Sequence, residues 1–107
     1  MAVYDLYGFS SIEISDVKIL VEESLNIEFT ARNSTYQGGD YYIWGNRGEE
    51  NILIKRNVDP FDGEPSEMAF GEYPVLLYVN NTERSEIIRG VLSTKLVSAA
   101  LLRHENL

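Results

Sequence analysis

Polar and apolar positions change period several times along the chain, and each change marks an element. Between Ser15 and Leu25, the residues Val17, Leu20, Val21 and Leu25 recur at the spacing of a helix with one apolar face, with Ser15 or Asp16 as its cap. Ile12 and Ile14 alternate with polar neighbours, so the chain enters this helix in extended form. After it the period becomes two: Ile27, Phe29 and Ala31 alternate with Asn26, Glu28, Thr30 and Arg32, which predicts a strand with one solvated face. Asn33 to Gly39 reads as a turn, and Asp40 to Trp44, dense in aromatic and β-branched residues, as a second strand. Gly45-Asn46-Arg47-Gly48 supplies the positive φ values of a hairpin, and Asn51 to Asn57 is the return strand.

Pro74 to Val79 is apolar on both pleat faces, as in a strand buried on both sides; Pro74, which has no N–H, suits its first position. The remaining chain has helical spacing. Asn81 or Thr82 serves as cap, Glu83 and Glu86 lie in the first turn, and Ile87, Ile88, Val91 and Leu92 share a face. Gly90 weakens this helix by about 1 kcal/mol relative to alanine. Ser93-Thr94 can restart a second segment, with Leu96, Val97, Ala100 and Leu101 continuing the stripe and Arg103 and His104 at its negative end. The expected fold is α+β, an antiparallel four-stranded sheet (a meander plus a buried fourth strand) packed by an N-terminal helix and C-terminal helices. Without a repeat or a linker, residues 1–107 form a single domain.

Charge changes the picture most between Val58 and Tyr73. These sixteen residues hold Asp59, Asp62, Glu64, Glu67 and Glu72 and no Lys, Arg or His. Like charges on a tethered loop repel, so they need either solvent or a cationic partner. The whole chain carries a formal charge of -8, which argues against nucleic acid or an anionic membrane as ligand, since both call for clustered Lys and Arg. The first residues show no basic start followed by an apolar run, and no stretch is apolar for the roughly 18 residues of a membrane span. With no cysteine either, the expected location is the cytoplasm. Asn33-Ser34-Thr35 and Asn80-Asn81-Thr82 read as turn and cap chemistry, not as glycosylation sites.

Catalytic patterns are sparse. His104 is the one histidine, there is no cysteine, and no Gly-x-Ser-x-Gly elbow occurs. Asp59-Pro60-Phe61-Asp62-Gly63-Glu64 lacks the spacing of a calcium loop, and Gly38-Gly39-Asp40 lacks the lysine and strand-to-helix setting of a phosphate loop. No catalytic residue, metal or cofactor is therefore expected. The aromatic residues are more informative: Tyr42 and Trp44 share one pleat face and Tyr41 the other, so one face covers the core and the other can meet a partner. By charge and loop position, the candidate binding residues are Asp59, Asp62, Glu64, Glu67, Glu72, Tyr41, Tyr42, Trp44 and Tyr73.

Gly-Gly-Asp-Tyr-Tyr at 38–42, Ile-Leu-Ile-Lys-Arg-Asn at 52–57, the acidic Asp-Pro-Phe-Asp-Gly-Glu linker and Tyr-Pro-Val-Leu-Leu-Tyr-Val at 73–79 resemble the small bacterial immunity proteins of contact-dependent growth inhibition and related polymorphic toxin systems. The resemblance covers the middle of the chain and the capped helix after it. It implies a cytoplasmic protein without catalytic activity that binds, one to one, the C-terminal toxin domain of its cognate effector. The implied partner is a basic nuclease, a ribonuclease before a deoxyribonuclease, whose active site the acidic surface covers. Two other readings stand beside it: a small acidic hydrolase working through carboxylates, and a homo-oligomeric module using the aromatic sheet.

Overall fold

The computed structural model describes residues 2–37, 39–59, 61–95 and 99–107. The chain forms β1 (Val3–Phe9), α1 (Ile14–Leu25), β2 (Thr30–Ser34), β3 (Gly39–Gly45), β4 (Asn51–Arg56), β5 (Val75–Thr82), α2 (Ser85–Lys95) and β6 (Ala100–Asn106). One antiparallel sheet takes all six strands in the order β2-β3-β4-β5-β1-β6. The expected four-stranded sheet with C-terminal helices is thus corrected to six strands and two helices.

Both added strands come from the ends of the described chain, and each escapes the local pattern for its own reason. In β1, Val-Tyr-Asp-Leu-Tyr-Gly-Phe, Asp5 and Gly8 interrupt the apolar residues, so no clean period of two survives. Burial on both faces removes the need for one: Leu6, Tyr7 and Phe9 are all buried. Strand β6 is an edge strand in which only Ala100 and Leu102 are half-buried. Its ladder with β1 (Tyr4 opposite Glu105, Asp5 opposite His104, Leu6 opposite Arg103) is a contact between distant segments that no window of local sequence contains. Arg103 and His104 therefore belong to a strand and not to a helix end. Leu96 and Val97, expected to extend the helical stripe, lie outside the described residues.

The meander runs from β2 to β4 as expected, with shifted bounds. Ile27 and Phe29 precede β2 and pack on the core, and the Phe29 N–H donates to Glu22 Oε2 at 2.7 Å. Helix α1 begins at Ile14 after Glu13, which makes no side-chain cap; Asp16 lies in its positive first turn. It ends at Asn26, in the left-handed conformation at φ 56°.

Helices α1 and α2 pack on one face of the sheet. Tyr7, Phe9, Ile52, Ile54, Val75, Leu77 and Val79 meet Ile14, Val17, Val21, Ile88 and Leu92 there in one buried cluster. The alternate residues, Leu6, Leu53, Leu76, Tyr78, Tyr41 and Ile43, point to the opposite face.

A polar knot joins the β3–β4 hairpin to the start of α2. Thr82, at the end of β5 and fully buried, donates to Glu50 Oε2 at 2.6 Å, and Arg84 donates to both Glu50 oxygens at 2.8 to 3.1 Å. Hydrogen bonds from Arg84 hold the Glu50 carboxyl below the usual glutamate range; burial opposes them and Thr82 adds to them. A lowered folded-state pKa adds stability that is complete above the unfolded value and is lost as the pH falls through the folded one. Urea denaturation is therefore expected to show stability declining as the pH drops below about 4.5, with Glu50→Gln costing about 1–2 kcal/mol at neutral pH and flattening that decline. An unchanged pH profile in Glu50→Gln would assign the acid sensitivity elsewhere.

Candidate functional site

The acidic segment between β4 and β5 is built on Asn57. Only 5% exposed, this side chain donates from Nδ2 to the Phe70 and Tyr73 carbonyls, both at 3.0 Å, and accepts the Glu67 N–H on Oδ1 at 2.8 Å. Its own N–H donates to the Pro74 carbonyl at 2.8 Å. One amide thus ties three points of the segment to the end of β4. Such fully partnered buried groups hold a single conformation.

The segment crosses the face of the sheet opposite the helices. Tyr73 and Leu102 close over Gly8, where a Cβ would lie 2.7 Å from each of them, so only glycine leaves room for the loop at this point. Glu67 turns inward, accepting the Tyr78 hydroxyl at 2.6 Å and pairing with Arg103 at 3.2 Å. Burial alone would raise the Glu67 pKa, but the Tyr78 and Arg103 hydrogen bonds outweigh it and the carboxyl lies below its ordinary range. Burial and the Glu67 carboxylate push the Tyr78 hydroxyl up. Beneath the loop, Lys55 is 8% exposed; burial lowers its pKa against the attraction of Glu67 and Asp59.

At the outer end, Asp59 Oδ1 accepts the Phe61 N–H at 2.8 Å and Asp62 Oδ1 the Glu64 N–H at 2.9 Å. The Asp59 N–H reaches the Glu64 carbonyl at 2.6 Å, and Gly63 takes φ 75°, a conformation that favours glycine. Of the five carboxylates, Glu67 is withdrawn into the fold and Asp59 is half-buried, while Asp62, Glu64 and Glu72 face solvent.

The aromatic candidates divide between the two faces. Tyr42 and Trp44 pack against the core under the helices, and the Lys18 ammonium lies 5.7 Å from the Tyr42 ring centre. Tyr41 stands on the other face, where with Tyr4, Ile43, Leu53, Asn51 and Asn80 it lines an open depression of about 420 Å³. Tyr73 seats the loop. The structure therefore groups Asp59, Asp62, Glu64, Glu67, Glu72, Tyr73 and Tyr41 on one side of the sheet and separates Tyr42 and Trp44 from them. Sequence reasoning passed over Phe61 and did not include Tyr36 among the binding residues. These two rings, each 78% exposed, meet edge to face with centres 6.2 Å apart. Neither belongs to a periodic stretch, and the loop's fold alone brings them together.

A second polar cluster occupies the helix side. Asp5, 2% exposed, accepts Ser85 Oγ and His104 Nδ1, each at 2.5 Å, and Arg89 Nη2 lies 3.2 Å from the same ring nitrogen. With Nδ1–H donating to Asp5, serine and histidine both bind the carboxylate and not each other. The serine-to-histidine contact that activates a nucleophile is therefore not made in this arrangement. The cluster ties β1, β6 and α2 together. Among the described residues no group of three metal-ligating side chains converges, and no helix is long and apolar enough to cross a membrane.

No family model, no curated protein and no solved structure matches the chain.

Replacing Asn57 with alanine leaves two carbonyls and one N–H of the loop without their partner and is expected to cost about 2–3 kcal/mol in chemical denaturation. Asn57→Asp should fail similarly, because a carboxylate cannot donate to Phe70 and Tyr73. Limited proteolysis should then cut both variants within residues 58–73 faster than the parent. Parent-like stability and resistance would show that the amide does not hold the loop.

Proposed function

We propose that this chain is an immunity protein that binds and neutralises the C-terminal toxin domain of a cognate bacterial effector. The partner in this reading is a basic nuclease, a ribonuclease before a deoxyribonuclease, held in a one-to-one cytoplasmic complex whose active site the acidic surface covers. The chain itself has no catalytic role. One observation carries the reading: a segment of like charges is stapled in a single shape, with Asp62, Glu64 and Glu72 facing solvent. Asp62 gives one oxygen to the Glu64 N–H, but none of the three forms an ion pair with a described residue, whereas a cationic cleft gains from meeting carboxylates already ordered. Such a surface speeds encounter and takes the place of phosphates in a nuclease cleft.

The orientation of the loop carboxylates favours recognition over acid-base chemistry. Glu67 is engaged by Tyr78 while Asp62, Glu64 and Glu72 are exposed to solvent, and among the described residues no three carboxylate or histidine side chains converge as a metal-type cluster.

Asp62→Lys, Glu64→Lys and Glu72→Lys combined are expected to slow association with the cognate toxin domain by about tenfold or more at low salt, a deficit that narrows as salt is added. Stopped-flow mixing of the purified pair measures this directly. Unchanged association at low salt would remove the loop from the interface, and failure of the parent protein to bind or protect against that toxin would remove the function.

A further inference from the structure

The aromatic step at the outer end of the acidic loop buries little of its own surface in the fold. Tyr36 comes from the short turn after β2 and Phe61 from the loop, and both rings remain 78% exposed after meeting edge to face. Side chains this large and this open stabilise a folded chain little, but they are what a partner most often uses as anchors. Carboxylates lie close to both rings: Asp59 and Asp62 flank Phe61 in the chain, and Asp40, held by Asn33 at 2.7 Å, sits at the base of the Tyr36 turn; on the same side of the sheet, Lys55 is buried and attracted to Asp59, and Arg32 stands opposite Tyr41 on β2. Asp59 and Asp62 each use one oxygen to shape the loop. Among the described residues, the cation over a ring is Lys18 on Tyr42, on the opposite face of the sheet, so neither ring of this step is covered by a described cation.

From this juxtaposition we infer that the Tyr36–Phe61 step is the anchor of the partner contact and that it receives an arginine side chain of the partner. The inference rests on the recognition reading above and adds the chemistry of the group recognised. A guanidinium is planar and weakly hydrated, so it stacks on an aromatic face while its N–H groups meet neighbouring carboxylates; a lysine ammonium keeps its water and does this less well. Charge attraction alone would not distinguish the two cations. An aromatic anchor beside carboxylates does.

The test uses heptaarginine and heptalysine peptides, equal in charge, titrated into the whole protein at low salt by calorimetry. The arginine peptide is expected to bind about three- to tenfold more tightly, and Tyr36→Leu and Phe61→Leu should each reduce that preference to within about twofold while leaving lysine-peptide affinity nearly as it was. Leucine keeps apolar bulk but has no ring, and thermal unfolding should be unchanged because both positions are exposed. Equal affinities for the two peptides, no binding of either, or a preference that survives both substitutions would overturn the inference. Because no toxin is present, the two readings fail separately. Toxin binding without arginine preference removes the anchor and leaves the function; arginine preference without toxin protection does the reverse.

Discussion

The backbone ladder that inserts β1 between β5 and β6 is the constraint on which the other features depend. Antiparallel pairing with β5 places Gly8 opposite Leu76, beneath the spot where Tyr73 and Leu102 close. Pairing with β6 brings Arg103 alongside Leu6, on the face where Glu67 can reach it, and sets His104 opposite Asp5. Without β1 in the middle, the acidic segment would have neither its seat nor its cation, and the Asp5 carboxylate would lose its partners. Each of those contacts joins residues far apart in the chain. Loop-closure entropy opposes forming them one at a time, and the continuous ladder offsets it by fixing many at once.

The acidic segment then shows how a run of like charges can be ordered at modest cost. Its most buried interactions are made by Asn57, a neutral amide, so the chief staple carries no charge to desolvate. Only Glu67 among the five carboxylates is drawn well into the fold, and it meets Arg103 and Tyr78 and lies near Lys55. Burying an unpaired carboxylate would cost several kcal/mol, whereas a hydrogen-bonded and paired one roughly offsets its desolvation. Asp59 and Asp62 shape the outer turn through one oxygen each. The negative field of the segment is thus largely preserved on its outer surface.

The two faces of the sheet are consequently covered in different ways. The face under α1 and α2 is closed by aliphatic packing, with Tyr42 and Trp44 at its margin. On the other face the loop covers Lys55 and Leu76 and leaves Tyr41, Ile43 and Leu53 beside an open depression. Exposed carboxylates and the Tyr36–Phe61 pair lie on that side and at its outer end, where the core does not require them.

Local sequence determined a good deal. Helix α1 was legible from its apolar spacing, the β3–β4 hairpin from its glycines, β5 from its unbroken apolar run, and the acidic segment from composition alone, because periods of 3.6 and two and the need of positive φ for glycine are local properties. Which face Tyr41 and Tyr42 would each take was open, since alternation separates them without saying which side the helices cover. Tertiary structure alone decided that β1 and β6 complete the sheet: one is buried on both faces, and the other alternates only at Ala100 and Leu102 before an exposed polar end, so neither sustains the half-buried alternation that marks a strand. It also decided that Glu67 turns inward, that Asn57 holds the loop and that Tyr36 meets Phe61. Those outcomes depend on pairings across the fold, and a chain read in order shows which residues are able to pair but not which of them the ladder brings within reach.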